Sequence, residues 1–188
     1  MNQMKMIDVT MTRENLDDIP QYPLAEGFSI DYFKEGDQAA WVNVETRTDE
    51  FANEEEAWTR FNREFGPRLD EFAKRCLFLK NKEDEIIGTT TAWYGSLEEG
   101  EDPIGRIHWV SILPEYQGQG LAKPLLSEAM NVLAKHHQKV YLDSSTKNDR
   151  AINLYLSYGF EPLIRDAEDL KAWEIIEKSL DKRIDLKE

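Results

Sequence analysis

The sequence predicts one α/β (α+β) domain, in which helices flank a mixed and mostly antiparallel central sheet. Three observations lead to this fold class. The chain has 188 residues, of which 40% are hydrophobic, so it is long enough to bury one core. Its first half carries helix start and stop signals, and its second half alternates short apolar runs with segments of helical periodicity. That alternation indicates a β-α-β-α-β order.

The N-terminal region gives the weakest signals. Residues 1–26 have little periodicity and contain Pro20 and Pro23, so they are predicted to form an arm and a connection. Residues 28–32 alternate apolar and polar side chains, as a half-buried strand does. We therefore expect the first strand of the sheet at residues 28–32.

Two helices should follow this strand. The first is predicted over residues 37–44, with Asp37 as its N-cap. The second is predicted over residues 53–65, because Asn53 can cap it, three glutamates follow at its positive end and the Gly66-Pro67 pair ends it.

The remaining elements follow from short β-branched or aromatic runs and from fourfold apolar spacing. A hairpin is predicted from residues 76–79 and 86–94, and a third strand from residues 104–113. The last five elements are predicted in the order helix, strand, helix, strand, strand, over residues 120–136, 140–142, 149–158, 160–164 and 173–176.

Charge and cysteine content limit the classes of function. The formal net charge is −14, which opposes binding to nucleic acid and to anionic membrane surfaces and is compatible with a cationic ligand. Cys76 is the single cysteine, so we expect neither an internal disulfide nor a cysteine-based metal site. The chain has no apolar run of membrane-spanning length and no signal-peptide pattern at its start, which predicts a cytoplasmic protein.

The strongest local signal is a glycine turn between a strand and a helix, in the segment VSILPEYQGQGLAKPLL. Gly118 and Gly120 allow unusual backbone angles, and the first amides of the following helix have no partners within the helix. Such a turn can hold a phosphate with main-chain donors, without basic side chains. Pro124 fits the first turn of that helix, where its missing N–H is not needed.

Two other phosphate motifs fit this segment less well. A P-loop requires Gly-Lys followed by Ser or Thr, whereas Lys123 is followed by proline. A dinucleotide-binding fingerprint requires a third glycine at position 123, which is lysine. A plain turn without a ligand is the remaining alternative.

The glycine turn resembles the Q/R-x-x-G-x-G/A motif of the GNAT superfamily of N-acetyltransferases, and the preceding strand is similar to the strand that leads into it. The resemblance implies acetyl-CoA as co-substrate, with a splayed strand beside its pantetheine arm. The main chain of Val110, Ser111 and Ile112 would hold that arm, and Ile112 would also supply an oxyanion donor. The resemblance places the pyrophosphate on the motif residues Gln117, Gly118, Gln119, Gly120, Leu121, Ala122 and Lys123.

A second segment, residues 148–160, resembles the GNAT pattern N-x-x-A-x-x-L-Y-x-x-x-G-F at every defining position. It implies cofactor contacts from Asn148 and Ala151, and a role for Tyr155 as the acid that protonates the departing thiolate. A phenol is protonated at neutral pH, which suits that role. The alternative is that Tyr155 is a core aromatic residue. The resemblance spans residues 104–160, within one predicted domain of residues 1–188.

The base that takes the proton from the amine is left open. His108 lies where arylalkylamine acetyltransferases have a catalytic histidine, and strand alternation predicts that it shares a face with Val110 and Ile112. Asp143 resembles in position the glutamate of ribosomal-protein alanine acetyltransferases. Arg106 stands where histone acetyltransferases have a glutamate. Structural roles for His108 and Asp143, and an ordered water as base, are the alternatives.

These patterns predict an acetyl-CoA-dependent N-acetyltransferase that acts on a primary amine of a small molecule, without a metal ion. A peptide or protein amine is a second acceptor class, and a non-catalytic acyl-CoA-binding or regulatory module on the same fold is the alternative function. A P-loop type nucleotide-binding domain is disfavoured by Pro124. The family resemblance leaves a homodimer open.

Overall fold

The computed structural model describes residues 6–186 as a seven-stranded sheet with helices packed against it. The strands are β1 (Asp8–Arg13), β2 (Ser29–Tyr32), β3 (Cys76–Lys80), β4 (Ile86–Gly95), β5 (Ile104–Ile112), β6 (Val140–Ser145) and β7 (Glu161–Pro162). The helices are α1 (Gln38–Arg47), α2 (Glu54–Glu64), α3 (Leu69–Ala73), α4 (Ala122–Ala134), α5 (Asp149–Ser157) and α6 (Ala167–Leu180).

The strand order is β2-β3-β4-β5-β6-β1-β7. Neighbouring strands are antiparallel except β5 and β6, which run parallel. In the described chain this parallel pair is in register at Gly105–Val140 and Arg106–Tyr141, and the two strands diverge beyond that point. The predicted fold class, a mixed sheet with splayed parallel strands, is confirmed.

The prediction of an arm over residues 1–26 is wrong for residues 8–13, and residues 1–5 lie outside the described chain. Residues 8–13 form β1, which lies between β6 and β7 in the sheet. Its threonines are buried along with Val9 and Met11, and the Thr10 hydroxyl donates to the Asp143 carboxylate at 2.9 Å. A search for hydrophobic alternation misses such a strand, because some of its buried positions are occupied by hydrogen-bonded polar residues.

The end of the chain also differs from the prediction. Residues 173–176, predicted as a strand, belong to α6, in which Trp173 and Ile176 are buried three residues apart. The Asp166 carboxylate caps this helix by accepting from the amides of Glu168 and Asp169. The predicted strand over residues 160–164 is reduced to the two residues of β7.

The predicted helix caps have different outcomes. The Asn53 side chain accepts from the Glu56 amide at 3.0 Å, which confirms it as the N-cap of α2. Asp37 occupies the N-cap position of α1 but makes no capping bond, because its carboxylate accepts from the Lys34 amide instead.

Two hydrophobic clusters stabilise the fold. Alternate residues of β3 belong to different clusters, Leu77 and Leu79 to one and Cys76 and Phe78 to the other. The first cluster joins the sheet to α4, α5 and α6 and also includes Val44 of α1, and the second is an aromatic cluster that joins it to α1, α2 and α3. Two separate layers of helices are therefore bound to the sheet by apolar burial.

The hydroxyl of Tyr158 connects α5 to the beginning of α4. It donates to the Lys123 carbonyl at 2.6 Å and lies 2.8 Å from the Ser127 hydroxyl, which in turn donates to the Pro20 carbonyl. Buried hydrogen bonds of this kind hold the first turn of α4 against its neighbours.

We expect the substitution Tyr158→Phe to lower the free energy of unfolding by about 1–2 kcal/mol, because a buried carbonyl and a buried hydroxyl lose a partner. Urea denaturation followed by circular dichroism measures the effect. Tyr155→Phe is a matched control, because the Tyr155 hydroxyl makes no hydrogen bond within the described residues. Equal losses in both variants would contradict the proposed role of the Tyr158 hydroxyl.

Candidate active site

The glycine turn leaves a row of main-chain donors without partners. Gly118 and Gly120 adopt φ values of +77° and +78°, in the region that favours glycine. None of the main-chain amides from Gly118 to Lys123 donates a hydrogen bond to another described residue. A Cβ built on either glycine would have no atom within 4 Å, so the turn faces open space. These donors form a concave site that can bind an anion.

The flanks of this turn are fixed by hydrogen bonds. The side-chain amide of Gln117 donates to the Ile112 carbonyl at 2.8 Å, and that of Gln119 donates to the Glu115 carbonyl at 3.3 Å. Pro124 lies in the first turn of α4, as predicted, and is buried. The predicted motif residues 117–123 therefore lie together at the N-terminus of a rigid helix whose dipole also favours an anion.

A β-bulge interrupts β5 next to this turn. His108 pairs with Thr91 and Ser111 pairs with Thr89, so that Trp109 and Val110 together face Thr90 on β4. Trp109 has a φ of +52°, which is a strained conformation for a bulky residue and one that bulges of this kind usually give to glycine. Strain of this kind persists only where the surrounding structure enforces it, and it is typical of functional sites.

The bulge overturns the prediction that His108 shares a face with Val110 and Ile112. The His108 ring contacts Phe65 and Glu64 at the side of α2, whereas Val110 and Ile112 pack against the hydrophobic cluster that contains α4. One extra residue in a strand reverses the alternation beyond it, which is the physical reason for the error.

His108 forms a half-buried pair with Glu64. Its Nε2 lies 2.5 Å from the Glu64 carboxylate. Burial lowers the pKa of His108 in spite of that carboxylate, so the ring is neutral at neutral pH. Burial acts to raise the pKa of Glu64, but the hydrogen bond from His108 and the charges nearby hold it below its usual range. A neutral imidazole oriented by a carboxylate retains one basic nitrogen.

Asp143, the second predicted base, is engaged on both of its oxygens. The Arg106 guanidinium donates to one at 2.9 Å, and the Thr10 hydroxyl donates to the other at 2.9 Å. Arg106 belongs to one of the two residue pairs that join β5 to β6. Its contact with Asp143 therefore lies at the point from which the two strands diverge. A structural role at the base of the splay accounts for these contacts.

The second motif forms α5, and Tyr155 is its buried aromatic residue, with 7% of its surface exposed. Burial raises the pKa of Tyr155, and the negative charge of Glu50 adds to that shift. The phenol is therefore protonated throughout the neutral range. Asn148 is at the N-cap position of α5 but makes no capping bond, and Ala151 lies in the first turn.

Sequence patterns did not reveal a buried carboxylate at the end of α1. Glu45 has 0% of its surface exposed, and one of its oxygens accepts from the Ser111 hydroxyl at 2.9 Å. Burial raises the pKa of Glu45 to about 8, and Glu50 contributes to the shift. The sequence did contain one sign of this burial. Glu45 follows Val42 by three residues and Trp41 by four, which places it on the buried apolar face of α1.

Within residues 6–186, no three side chains of His, Cys, Asp or Glu are grouped so that they could hold a metal ion. None of the helices in the same part of the chain combines the length and the apolar character that crossing a bilayer requires.

Comparison with known proteins identifies the family. Residues 30–160 match the model of the acetyltransferase (GNAT) family, so the chain belongs to that family. The predicted family resemblance is confirmed.

Curated relatives carry one common name. The chain is 30% identical over 149 residues to the mycothiol acetyltransferase of Streptomyces griseus, in a match that covers 76% of this chain and 46% of the relative. It is 28% identical over 151 residues to the mycothiol acetyltransferase of Thermomonospora curvata, covering 76% and 47%. The chain thus spans about half the length of these curated relatives.

Solved structures agree in fold. A GCN5-related N-acetyltransferase from Sphaerobacter thermophilus superposes with a TM-score of 0.63 at 21% identity, over 83% of this chain and 48% of that one. A GNAT-family acetyltransferase from Colwellia psychrerythraea gives a TM-score of 0.63 at 11% identity, over 84% and 54%.

The pH dependence of stability should reveal the buried state of Glu45. Its pKa rises from 4.5 to about 8 on folding, so the folded protein binds more protons than the unfolded chain between these pH values. Stability relative to Glu45→Gln should then fall with rising pH, by about 1.4 kcal/mol per pH unit in that window, and level off above it. Urea denaturation of both proteins across the window measures the difference, and a constant difference would contradict the raised pKa.

Proposed function

We propose that this protein transfers the acetyl group of acetyl-CoA to a primary amine of a small molecule, with Tyr155 as the general acid. The observation that carries the proposal is the row of main-chain amides from Gly118 to Lys123 without partners, in the turn that follows β5 after this strand has diverged from β6. The curated relatives, of which this chain spans about half, are named for acetyl transfer, which supports the proposal.

The residues present fit acetyl-CoA. Six consecutive donors at a helix N-terminus can bind a pyrophosphate without a basic patch, which is what a protein of net charge −14 requires. Asn148 at the N-cap and Ala151 in the first turn lie at the start of α5, the helix that carries Tyr155. The main chain of Val110, Ser111 and Ile112 would line the pantetheine arm in the splay. When bound, acetyl-CoA supplies an acyl group activated as a thioester.

The chain's own groups would then carry out three tasks. The fixed turn and the bulged strand orient the acyl donor, which lowers the entropic part of the barrier. Main-chain N–H groups of β5 near Ile112 stabilise the charge that develops on the carbonyl oxygen. Tyr155, kept neutral by burial, donates its proton to the leaving sulfur.

The glycine turn can be tested by binding. We expect Gly118→Ala to weaken acetyl-CoA binding about tenfold, because an alanine at a φ of +77° costs about 1–2 kcal/mol and lets the turn relax away from the bound geometry. Isothermal titration calorimetry measures the dissociation constant.

The matched control is Gly36→Ala, which introduces alanine at a φ of +106°, also with no atom within 4 Å, outside the proposed site. It should lose stability without losing affinity. Equal affinity of Gly118→Ala and the unsubstituted protein would contradict the assignment of the pyrophosphate.

The role of Tyr155 can be tested by kinetics. We expect Tyr155→Phe to lower kcat by a factor of about 10²–10⁴ and to leave the KM for acetyl-CoA nearly unchanged, since the phenol acts on the leaving group rather than on binding. Thiol release is measured with a panel of primary amines, and kcat is taken with the best acceptor.

A panel that gives no thiol release above the hydrolysis background, in a protein that binds acetyl-CoA, would favour a non-catalytic acyl-CoA-binding module. A Tyr155→Phe variant with unchanged kcat would remove the assigned acid.

A further inference from the structure

The turn at the end of α1 brings the main chains of two glutamates, Glu45 and Glu50, together. The Asp49 amide donates to the Thr46 carbonyl at 3.2 Å, the Glu50 amide donates to the Glu45 carbonyl at 3.1 Å, and Asp49 has a φ of +60°. These are the two bonds and the left-handed residue of a Schellman motif. In that motif the side chains at the positions of Glu45 and Glu50 commonly form a hydrophobic contact. Here both positions carry a carboxyl group.

Stability alone does not explain this arrangement. Two acidic groups lie at the C-terminal end of a helix, where the dipole disfavours negative charge. One of them, Glu45, is fully buried, and its Oε1 has no hydrogen-bond partner. A buried polar atom without a partner is costly, and like charges that share a site push their pKa values apart. Such pairs are characteristic of sites that move protons.

Contacts on both sides of Glu50 hold the loop after α1 against the bulged strand. Before Glu50, the Ser111 hydroxyl donates to Glu45 at 2.9 Å, and Arg47 pairs with Glu115 at 2.5 Å. After it, the Phe51 ring lies 5.2 Å from the Trp109 ring, centroid to centroid. Glu50 is thereby tied between the bulge and the turn that precedes the glycines.

The Glu50 carboxylate is available for a ligand. It forms no hydrogen bond or ion pair with another described residue, in contrast to Asp143 with Arg106 and His108 with Glu64. Burial raises the pKa of Glu50, although the residue as a whole is exposed. Its charge acts on Glu45 of α1 and on Tyr155 of α5, whereas Ser111 and Trp109 of β5 carry no charge.

We propose that Glu50 binds the ammonium form of the acceptor amine and takes its first proton, with Glu45 as the positioning residue that holds Glu50 beside the bulge of β5. This inference rests on the proposed function and names the base that the sequence left open. A carboxylate beside a buried acid would select cationic amines.

Each turnover removes two protons from the acceptor nitrogen. The ammonium nitrogen gives one proton to the Glu50 carboxylate and becomes a nucleophile. The C–N bond forms, the C–S bond breaks, and Tyr155 gives its proton to the sulfur. The second proton of the nitrogen restores Tyr155, and the proton on Glu50 leaves to solvent, so one proton is released in all.

Glu50→Gln is compared with Asp49→Asn, which removes a charge from the adjacent residue and tolerates the left-handed backbone. Thiol release is measured as a function of pH, over the whole range in which the protein stays folded. The cationic probes are benzylamine, butylamine and glucosamine, and methoxyamine is the probe that is neutral at pH 7.

We expect Glu50→Gln to lower kcat/KM for the best cationic probe by about 100-fold or more at pH 7, and to remove the rise of kcat/KM with pH that accompanies ionisation of the base. With methoxyamine the loss should stay within about threefold, because that amine has no ammonium proton to give at this pH. Asp49→Asn should resemble the unsubstituted protein with every probe.

A second readout does not depend on activity. In ¹³C NMR of protein labelled at the glutamate carboxyls, Glu50→Gln should lower the titration midpoint of Glu45, because a like charge is removed, and Asp49→Asn should not. A Glu45 midpoint that does not move overturns the carboxylate pair.

The two proposals fail in different ways. An active protein in which Glu50→Gln and Asp49→Asn behave alike with cationic amines overturns the role of Glu50 and leaves the acetyltransferase function standing. A protein that neither binds acetyl-CoA nor releases thiol with any probe overturns both.

Discussion

The divergence of β5 from β6 is the constraint on which the rest of the site depends. Parallel strands normally stay paired along their length, but here the register covers two residue pairs before the strands separate. The separation leaves the main chain of β5 without a neighbouring strand on that side. The glycine turn that follows β5 places the N-terminus of α4 at the same opening. A ligand that fills the opening would satisfy main-chain groups that have no partner within the described residues.

The bulge at Trp109 makes this opening asymmetric. Before it, the side chain of His108 lies toward α2, and after it Ser111 takes that side and reaches Glu45 on α1. The strand therefore presents apolar residues to the α4 side in its last part and polar contacts to the α1 and α2 side. The proposed acceptor site, with Glu50, lies on the α1 and α2 side of the bulge, whereas the proposed phosphate site lies at the start of α4.

Acidic groups are concentrated where the amine is proposed to bind, and main-chain donors are concentrated where the phosphates are proposed to bind. This division resolves the conflict between a strongly acidic chain and a polyanionic co-substrate. Glu45, Glu50 and Glu64 lie on or just after the two helices that cover one side of β5, whereas the six amides of the glycine turn lie at its end. At each proposed site, the charge of the protein groups is therefore opposite in sign to the charge of the ligand.

By itself, the sequence determined the fold class, the glycine turn and the helix that carries Tyr155, because each of these depends on local rules of periodicity, glycine freedom and capping. It did not determine β1, whose buried threonines are stabilised by distant partners, or α6, whose apolar run fits a strand as well as a helix. It also misplaced the His108 side chain, since a bulge depends on how two strands pair and not on either strand alone. The contact of Glu45 with Ser111, 66 positions later in the sequence, was decided by the tertiary structure, because only packing brings a helix end over a bulged strand.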